Sequence, residues 1–261
     1  MSRHRFFLTA PLSHTAPGAD VLAPLSAEDL HHAVRVLRLR IAEEIDVVEP
    51  AGAAWRVRVT ATEQDGGLRV EVLEACEVAA EPDVTLVFGV LKGSKNEDII
   101  EGAVEVGVSA ILPVLTARCI VRLDAGKRAD RGDRWRRVVR AAAKQSKRSL
   151  VPALSDPVEL AEVSALLGAF DLVLVAWEEA AGSGLSQRLR DAGLPPHARV
   201  AVVVGPEGGL AAQEVAALEK LGAVTCSLGA TILRAETAGV VASALVVHEL
   251  GGLGARTVGT A

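Results

Sequence analysis

Tyrosine is absent from this 261-residue chain, and other aromatics are scarce, with four Phe and three Trp. Too few rings are present for a broad stacking platform of the kind that grips single-stranded bases. Cysteine is rarer still: Cys76, Cys119 and Cys226 are odd in number, far apart and form no CxxC motif. Such a set gives neither a disulfide framework nor a zinc site, and buried reduced thiols are expected. His31-His32 has no further ligands beside it, so no metal is expected. No apolar run approaches the length of a membrane span, and the residues after Met1-Ser2-Arg3-His4-Arg5 are too few for a signal-peptide core. The expected location is the cytoplasm, with no membrane partner.

Positive charge is also in deficit, the net value being −5. Its distribution reverses that impression. Residues 118–148 hold twelve Lys/Arg against three Asp, a local +9 that leaves −14 on the remainder. A basic stretch on an acidic protein can track phosphates. Half of the residues are hydrophobic, enough for a substantial core in one large domain or two modest ones.

Residues 3–8 read as a short strand. Ser26-Ala27-Glu28-Asp29 reads as a helix start, with Ser26 as N-cap and acids in the first turn, and the helix is expected to run through Leu37. Residues 45–48, 54–59 and 68–73 are short segments, the last two alternating, separated by Pro50-Ala51-Gly52 and Asp65-Gly66-Gly67. They predict antiparallel strands in a small barrel-like domain. Ala79-Ala80-Glu81-Pro82-Asp83 is the best linker, which divides the chain into 1–78 and 79–261.

Beyond the linker the period changes. Apolar runs at 84–90, 110–114, 172–176, 200–204 and 224–228 suit buried parallel strands. Helical patterns at 96–106, 134–148, 185–192, 211–221 and 235–250 lie between and after them. Gly107 closes the first of these, and Pro152 lies beyond the second. This alternation predicts an α/β domain with a parallel sheet covered on both faces.

Two segments carry the chemistry. In the first, the strand ending at Val204 meets Gly205-Pro206-Glu207-Gly208-Gly209-Leu210 before a helix. In the second, Ser227-Leu228-Gly229 leads through Ile232-Leu233-Arg234 to a helix beginning near Ala235. Ligands of open α/β sheets sit at the carboxyl ends of strands, and glycine lets backbone approach them closely. Taken alone, each is equally an ordinary strand–turn–helix connection. Neither GxGxxG nor a P-loop is present, which disfavours a nucleotide-dependent oxidoreductase. Glu236 suits the positive end of a helix, whereas a cation such as Arg234 is disfavoured there and hints at an anionic partner.

Arg137, Arg140, Lys144 and Lys147 share one face of the basic helix, while Trp135, Val138, Val139 and Ala142 point more nearly inward. With Arg118 and Arg148 at the ends of the basic stretch, and Arg5, Arg35 and Arg38 in the N-terminal domain, they are the candidate RNA contacts. Arg3, Arg40, His31 and His32 add to the N-terminal set.

Several segments in order resemble the bacterial 16S rRNA uridine N3-methyltransferases of the SPOUT (trefoil-knot) superfamily. They are His4-Arg5-Phe6-Phe7, residues 32–38, Glu105-Val106-Gly107-Val108 with Pro113, Arg118-Cys119, residues 145–148 with Pro152, Gly205-Pro206-Glu207-Gly208-Gly209, and Leu228-Gly229 with residues 232–238. The likeness covers nearly the whole chain, and its last two motifs in tandem are the most specific. It implies an N-terminal PUA-like β-barrel that docks RNA and a C-terminal knotted methyltransferase domain. It further implies a homodimer, S-adenosylmethionine as cofactor, and methylation of N3 of uridine 1498 in free 16S rRNA or the assembled small subunit. Carried over residue by residue, Gly205, Glu207, Gly208, Gly209, Leu228, Gly229, Ile232, Leu233, Arg234 and Ala238 line the cofactor, and Trp177-Glu178 falls in the first knot loop. Lys144 stands where the family often has Glu, and Lys147 where it often has a small residue.

Uridine N3 must lose a proton before it attacks a methyl group. Arg234 is expected to stabilise the resulting anion or orient the base, with Glu236 or water taking the proton. A non-catalytic RNA-binding protein and a ribose 2′-O-methyltransferase are the competing readings; binding of S-adenosylmethionine separates the first, the methylated atom the second.

Overall fold

The computed structural model describes residues 3–62, 67–77, 81–164, 166–180, 182–195 and 197–253. It resolves into two compact units, one drawn from residues 1–80 and 143–151, the other from 81–142 and 152–261.

The first unit holds β1 (Arg5–Phe7), β2 (Asp20–Leu22), α1 (Ala27–His31), β3 (Glu44–Val48), β4 (Ala54–Thr62) and β5 (Leu68–Cys76). Its five strands lie in the order β1-β3-β4-β5-β2. Alternation works as expected in the long pair. Val57, Val59, Leu68, Val70 and Val72 are buried, while Arg58 faces Glu71 across the strands at 3.1 Å. The three strands expected to be antiparallel, β3, β4 and β5, are so, and the short first strand β1 joins the edge parallel to β3. The β2 strand carried no legible pattern, being three residues long.

Ser26 caps α1 by accepting from the Asp29 N–H at 3.1 Å. The helix then widens into a π-helical turn, His32–Val36, before the chain reverses at Arg38 with φ 53°. Residues 143–151 return to this unit. The Arg5 guanidinium donates to the carbonyls of Lys147 (2.6 Å) and Arg148 (3.0 Å), and Lys144 forms an ion pair with the fully buried Asp29. Gly52, at φ 92°, leaves room for Leu150, whose Cδ2 would lie 2.8 Å from a Cβ there. The turn residues Asp65-Gly66 and the linker residues Ala79-Ala80 lie outside the described residues.

The second unit is β6 (Asp83–Gly89), α2 (Lys95–Val106), β7 (Ala110–Leu115), α3 (Ala125–Gln145), β8 (Ala153–Leu154), β9 (Val158–Glu159), α4 (Leu160–Ser164), β10 (Leu172–Ala176), α5 (Leu185–Asp191), β11 (Arg199–Val204), α6 (Ala212–Lys220), β12 (Val224–Cys226) and α7 (Ala235–Glu249). Every strand pairing here is parallel, in the order β12-β10-β11-β6-β7-β8, with β9 also beside β7. Both faces are covered, which is why the strands read as unbroken apolar runs. On one face Val87, Val175, Ala201 and Val203 pack with Val163, Leu210, Val215 and Leu218. The other face presents Leu86 and Phe88, the latter tilted against Trp135 of α3 with ring centroids 6.3 Å apart.

The chain lays β10 before β11, yet β11 sits between β10 and β6. The ends of β10, β11 and β12 are therefore neighbours. Helix α3 starts nine residues earlier than the pattern suggested, at Ala125, and stops at Gln145. Lys147 lies past its end at φ 57°, off the face it was expected to share.

Helices α2 and α7 meet through glycine. A Cβ on Gly102 would lie 2.5 Å from Val240 Cγ2, and one on Gly239 would lie 2.8 Å from Ile99 Cγ1. Ile99 is 1% exposed and has nowhere to move. Gly239→Val should therefore cost about 1–3 kcal/mol through overpacking, seen as an earlier urea midpoint. An unchanged midpoint would show that the helices can separate freely.

Candidate active site

A cavity of about 440 Å³ opens at the carboxyl ends of β10, β11 and β12. Its volume is in the range of small-molecule sites. Three loops wall it: Trp177-Glu178 after β10, residues 205–210 after β11, and residues 227–234 after β12, with Lys95 of α2 and Glu236 and Ala238 of α7 completing it.

The loop after β11 is folded tightly upon itself. A Cβ on Gly205 would lie 2.8 Å from the backbone of both Gly209 and Leu210, so no side chain fits. The Gly209 N–H donates to the Pro206 carbonyl at 2.8 Å, and Gly209 sits at φ 70°. Three side chains pin this loop to its surroundings. Arg118 donates to the Gly208 carbonyl at 3.0 Å, Glu207 Oε1 accepts from the Lys92 N–H at 3.0 Å, and Glu214 accepts from the N–H groups of Ala211 (2.9 Å) and Ala117 (2.8 Å).

The loop after β12 is held by its neighbours. The backbone N–H of Trp177 donates to the Cys226 carbonyl at 3.1 Å, and that of Leu185 to the Ser227 carbonyl at 3.0 Å. Ser227 Oγ accepts from the Gly229 N–H at 3.1 Å, with Gly229 at φ 123°. Arg234 is the extended residue that precedes α7, and its carbonyl takes the first helical hydrogen bond, from Ala238 at 2.7 Å. Glu236, one residue into the helix, has an inaccessible Oε2 without a hydrogen-bond partner. Lys95 Nζ lies 3.6 Å from it and 3.7 Å from Glu207 Oε1.

All but one of the residues expected around a cofactor line this cavity together: Trp177, Glu178, Gly205, Glu207, Gly209, Leu228, Gly229, Ile232, Leu233, Arg234 and Ala238, with Glu236 beside them. Gly208 does not, since its α-carbon faces Arg118 instead. Lys95 was missed. It stands at a helix start like Arg234, and the same disfavoured placement could have flagged it. The glycine cradle, backbone polar groups, apolar Leu210 and Leu233, three acids and the cations Lys95 and Arg234 suit a compact ligand that carries both signs of charge. Among the described residues no cluster of His, Cys, Asp or Glu is arranged to hold a metal.

Of the nine expected RNA contacts six fall in the first unit and three in the second. Arg35, Arg38, Arg118, Arg137 and Lys147 are exposed and Arg140 and Lys144 half-buried. Arg5 and Arg148 lie inside the first unit, Arg5 with Asp46 at 3.6 Å and Arg148 only 7% exposed. Arg118, as seen, grips the loop after β11.

A family model described as an RNA methyltransferase domain matches residues 79–247, and one described as an RNA methyltransferase PUA domain matches residues 25–73. The ribosomal RNA small subunit methyltransferase E of Mycobacterium tuberculosis is 38% identical over 234 residues, 87% of each chain. That of Bacillus subtilis is 30% identical over 252 residues, 95% of this chain and 97% of its own. The crystal structure of such a protein from Neisseria gonorrhoeae, bound to S-adenosylmethionine, superposes with a TM-score of 0.78 at 32% identity, covering 93% of this chain and 96% of that one.

Cys226, beneath these loops, is fully buried, and burial pushes its thiol up to about 12 from an ordinary value of 9.0. A raised folded value means stability that is present below pH 9 and lost as pH climbs toward 12. The urea midpoint should fall across that window for the native chain and fall less for Cys226→Ala. Parallel curves would show that Cys226 contributes nothing to alkaline unfolding.

Proposed function

We propose a function from one premise: the chain belongs to the RNA methyltransferase family whose model spans residues 79–247. It is an S-adenosylmethionine-dependent rRNA methyltransferase, and its target is N3 of uridine 1498 in 16S rRNA. The observation that carries this reading is the glycine-cradled cavity at the ends of β10, β11 and β12. Its place in the fold is where open α/β sheets bind ligands.

When bound, S-adenosylmethionine supplies a methyl carbon made electrophilic by its sulfonium. Backbone groups of Gly205, Pro206, Glu207 and Gly209 and of residues 228–233 would hold it, and Glu178, Glu207 and Glu236 would favour its positive charge. Uridine N3 is an imide nitrogen, so the enzyme must remove its proton and tolerate the anion left behind. Arg234, a permanent cation on the cavity wall, stabilises charge spread onto the flanking carbonyl oxygens. Glu236 Oε2, shielded from water and without a hydrogen-bond partner, takes the proton.

Residues 1–78 act as the RNA-docking domain and 79–261 as the catalytic one. The insertion of β11 beside β10, already laid, supports a knotted path through this segment. A homodimer is supported by α7, on which Val240, Val241, Ala244 and Leu245 stay only partly covered, and by Ile232, 88% exposed at the cavity. Arg35, Arg38 and Arg137 are the exposed cations offered to phosphates. The cytoplasm, where rRNA is matured, is the place of action.

Nucleoside mapping of rRNA from cells lacking the protein should reveal the loss of one N3-methyluridine, and an intact profile defeats the reading. Arg234→Ala should slow methylation by about a hundredfold or more, the usual loss when one oxyanion donor is removed. A full rate would dismiss that role for Arg234.

A further inference from the structure

We propose that Lys95 is a positioning residue for methyl transfer, acting through Glu236; this rests on the reading of Glu236 as proton acceptor. Lys95 begins α2, where the helix dipole disfavours a cation. Its ammonium stands instead between two carboxylates of other elements, 3.7 Å from Glu207 after β11 and 3.6 Å from Glu236 on α7. Both distances are ionic and too long for hydrogen bonds.

The two acids are not equivalent. Glu207 Oε1 already accepts the Lys92 N–H, so it is fixed to the loop that leads into α2. Glu236 Oε2 accepts nothing and is hidden from solvent. Two carboxylates converging on one cavity repel each other unless a cation stands between them. Lys95 supplies that cation at ionic distance, so Glu236 Oε2 keeps its lone pairs free of a hydrogen bond. In the step it serves, the N3–H bond breaks, its electron pair stays on N3, and the proton joins Glu236 Oε2. Lys95 gives and takes no proton.

The test uses full-length Lys95→Gln, Lys95→Arg, Glu236→Gln and the double variant Lys95→Gln/Glu236→Gln. Single-turnover methylation of 16S rRNA is read beside calorimetric binding of S-adenosylmethionine and thermal melting. Lys95→Gln should slow methylation roughly tenfold, with cofactor affinity held within about threefold, and Lys95→Arg should recover most of the rate. Glu236→Gln should lose about a hundredfold, and the double variant should be no slower than Glu236→Gln alone. Additive losses in the double variant, an arginine no better than glutamine, or cofactor affinity falling in step with rate would each overturn the role of Lys95 and leave Glu236 standing. A full rate in Glu236→Gln overturns both. Should Lys95→Gln not melt cooperatively, Lys95→Met takes its place with the same expectations.

Discussion

Helices α2 and α7 approach as closely as they do because Gly102 and Gly239 have no side chains at the crossing. The cavity inherits its geometry from that approach. Each helix begins at the carboxyl end of the sheet, and each places a charged residue there: Lys95 on α2, Glu236 on α7. Interiors pack too densely to absorb a small separation by compression. A wider crossing would therefore move the ammonium away from Glu236, beyond the 3.6 Å at which it now acts. Two glycines at the helix crossing thus set a distance in the cavity.

The loops obey a similar logic. A strand laid between two earlier neighbours brings three carboxyl ends together, and the connections leaving them must fold back sharply to share the space. Gly205 shows how little room remains, since its own loop closes over it at 2.8 Å. Gly89 tells the same story from the neighbouring strand, where a Cβ would lie 2.5 Å from the Pro206 nitrogen. The pins from Arg118, Glu207 and Glu214 then fix the loop against β6, β7 and α6. Preorganisation of this kind favours binding, because less order must be created when a ligand arrives.

Much of this was legible in the chain itself, for identifiable reasons. Strand β10 follows its apolar run residue for residue, because a strand buried on both faces has no polar positions to blur its ends. The two glycine turns announced themselves because close backbone contact demands glycine. What stayed hidden depends on contacts distant in sequence. Nothing near Lys144 signals Asp29, and nothing near Arg5 signals the carbonyls of residues 147 and 148. Lys95 is the telling case. Its neighbours in sequence are Ser94 and Asn96, but its partners are Glu207 and Glu236, more than a hundred residues away. Only the parallel order of β6 beside β11 makes them neighbours.

The basic stretch is less available to an anion than its charge suggests. A count of +9 over residues 118–148 treats every cation as available. The structure commits several of them to carboxylates: Lys127 to Asp124, Arg128 to Glu159, Arg134 to Glu97, Arg136 to Asp133 and Asp156, Lys144 to Asp29. A guanidinium already paired gains less from a phosphate, because the first partner must be given up and left uncompensated. Among the described residues Arg122, Arg131 and Arg137 make no ion pair and hold no carbonyl, so they would meet a phosphate without that cost. Electrostatic attraction still acts through the summed field, which draws an anion toward the stretch as a whole. Its grip would come from the few cations with nothing else to hold. A chain of net charge −5 can therefore serve an RNA substrate, with attraction spread widely and contact confined to a small set of side chains.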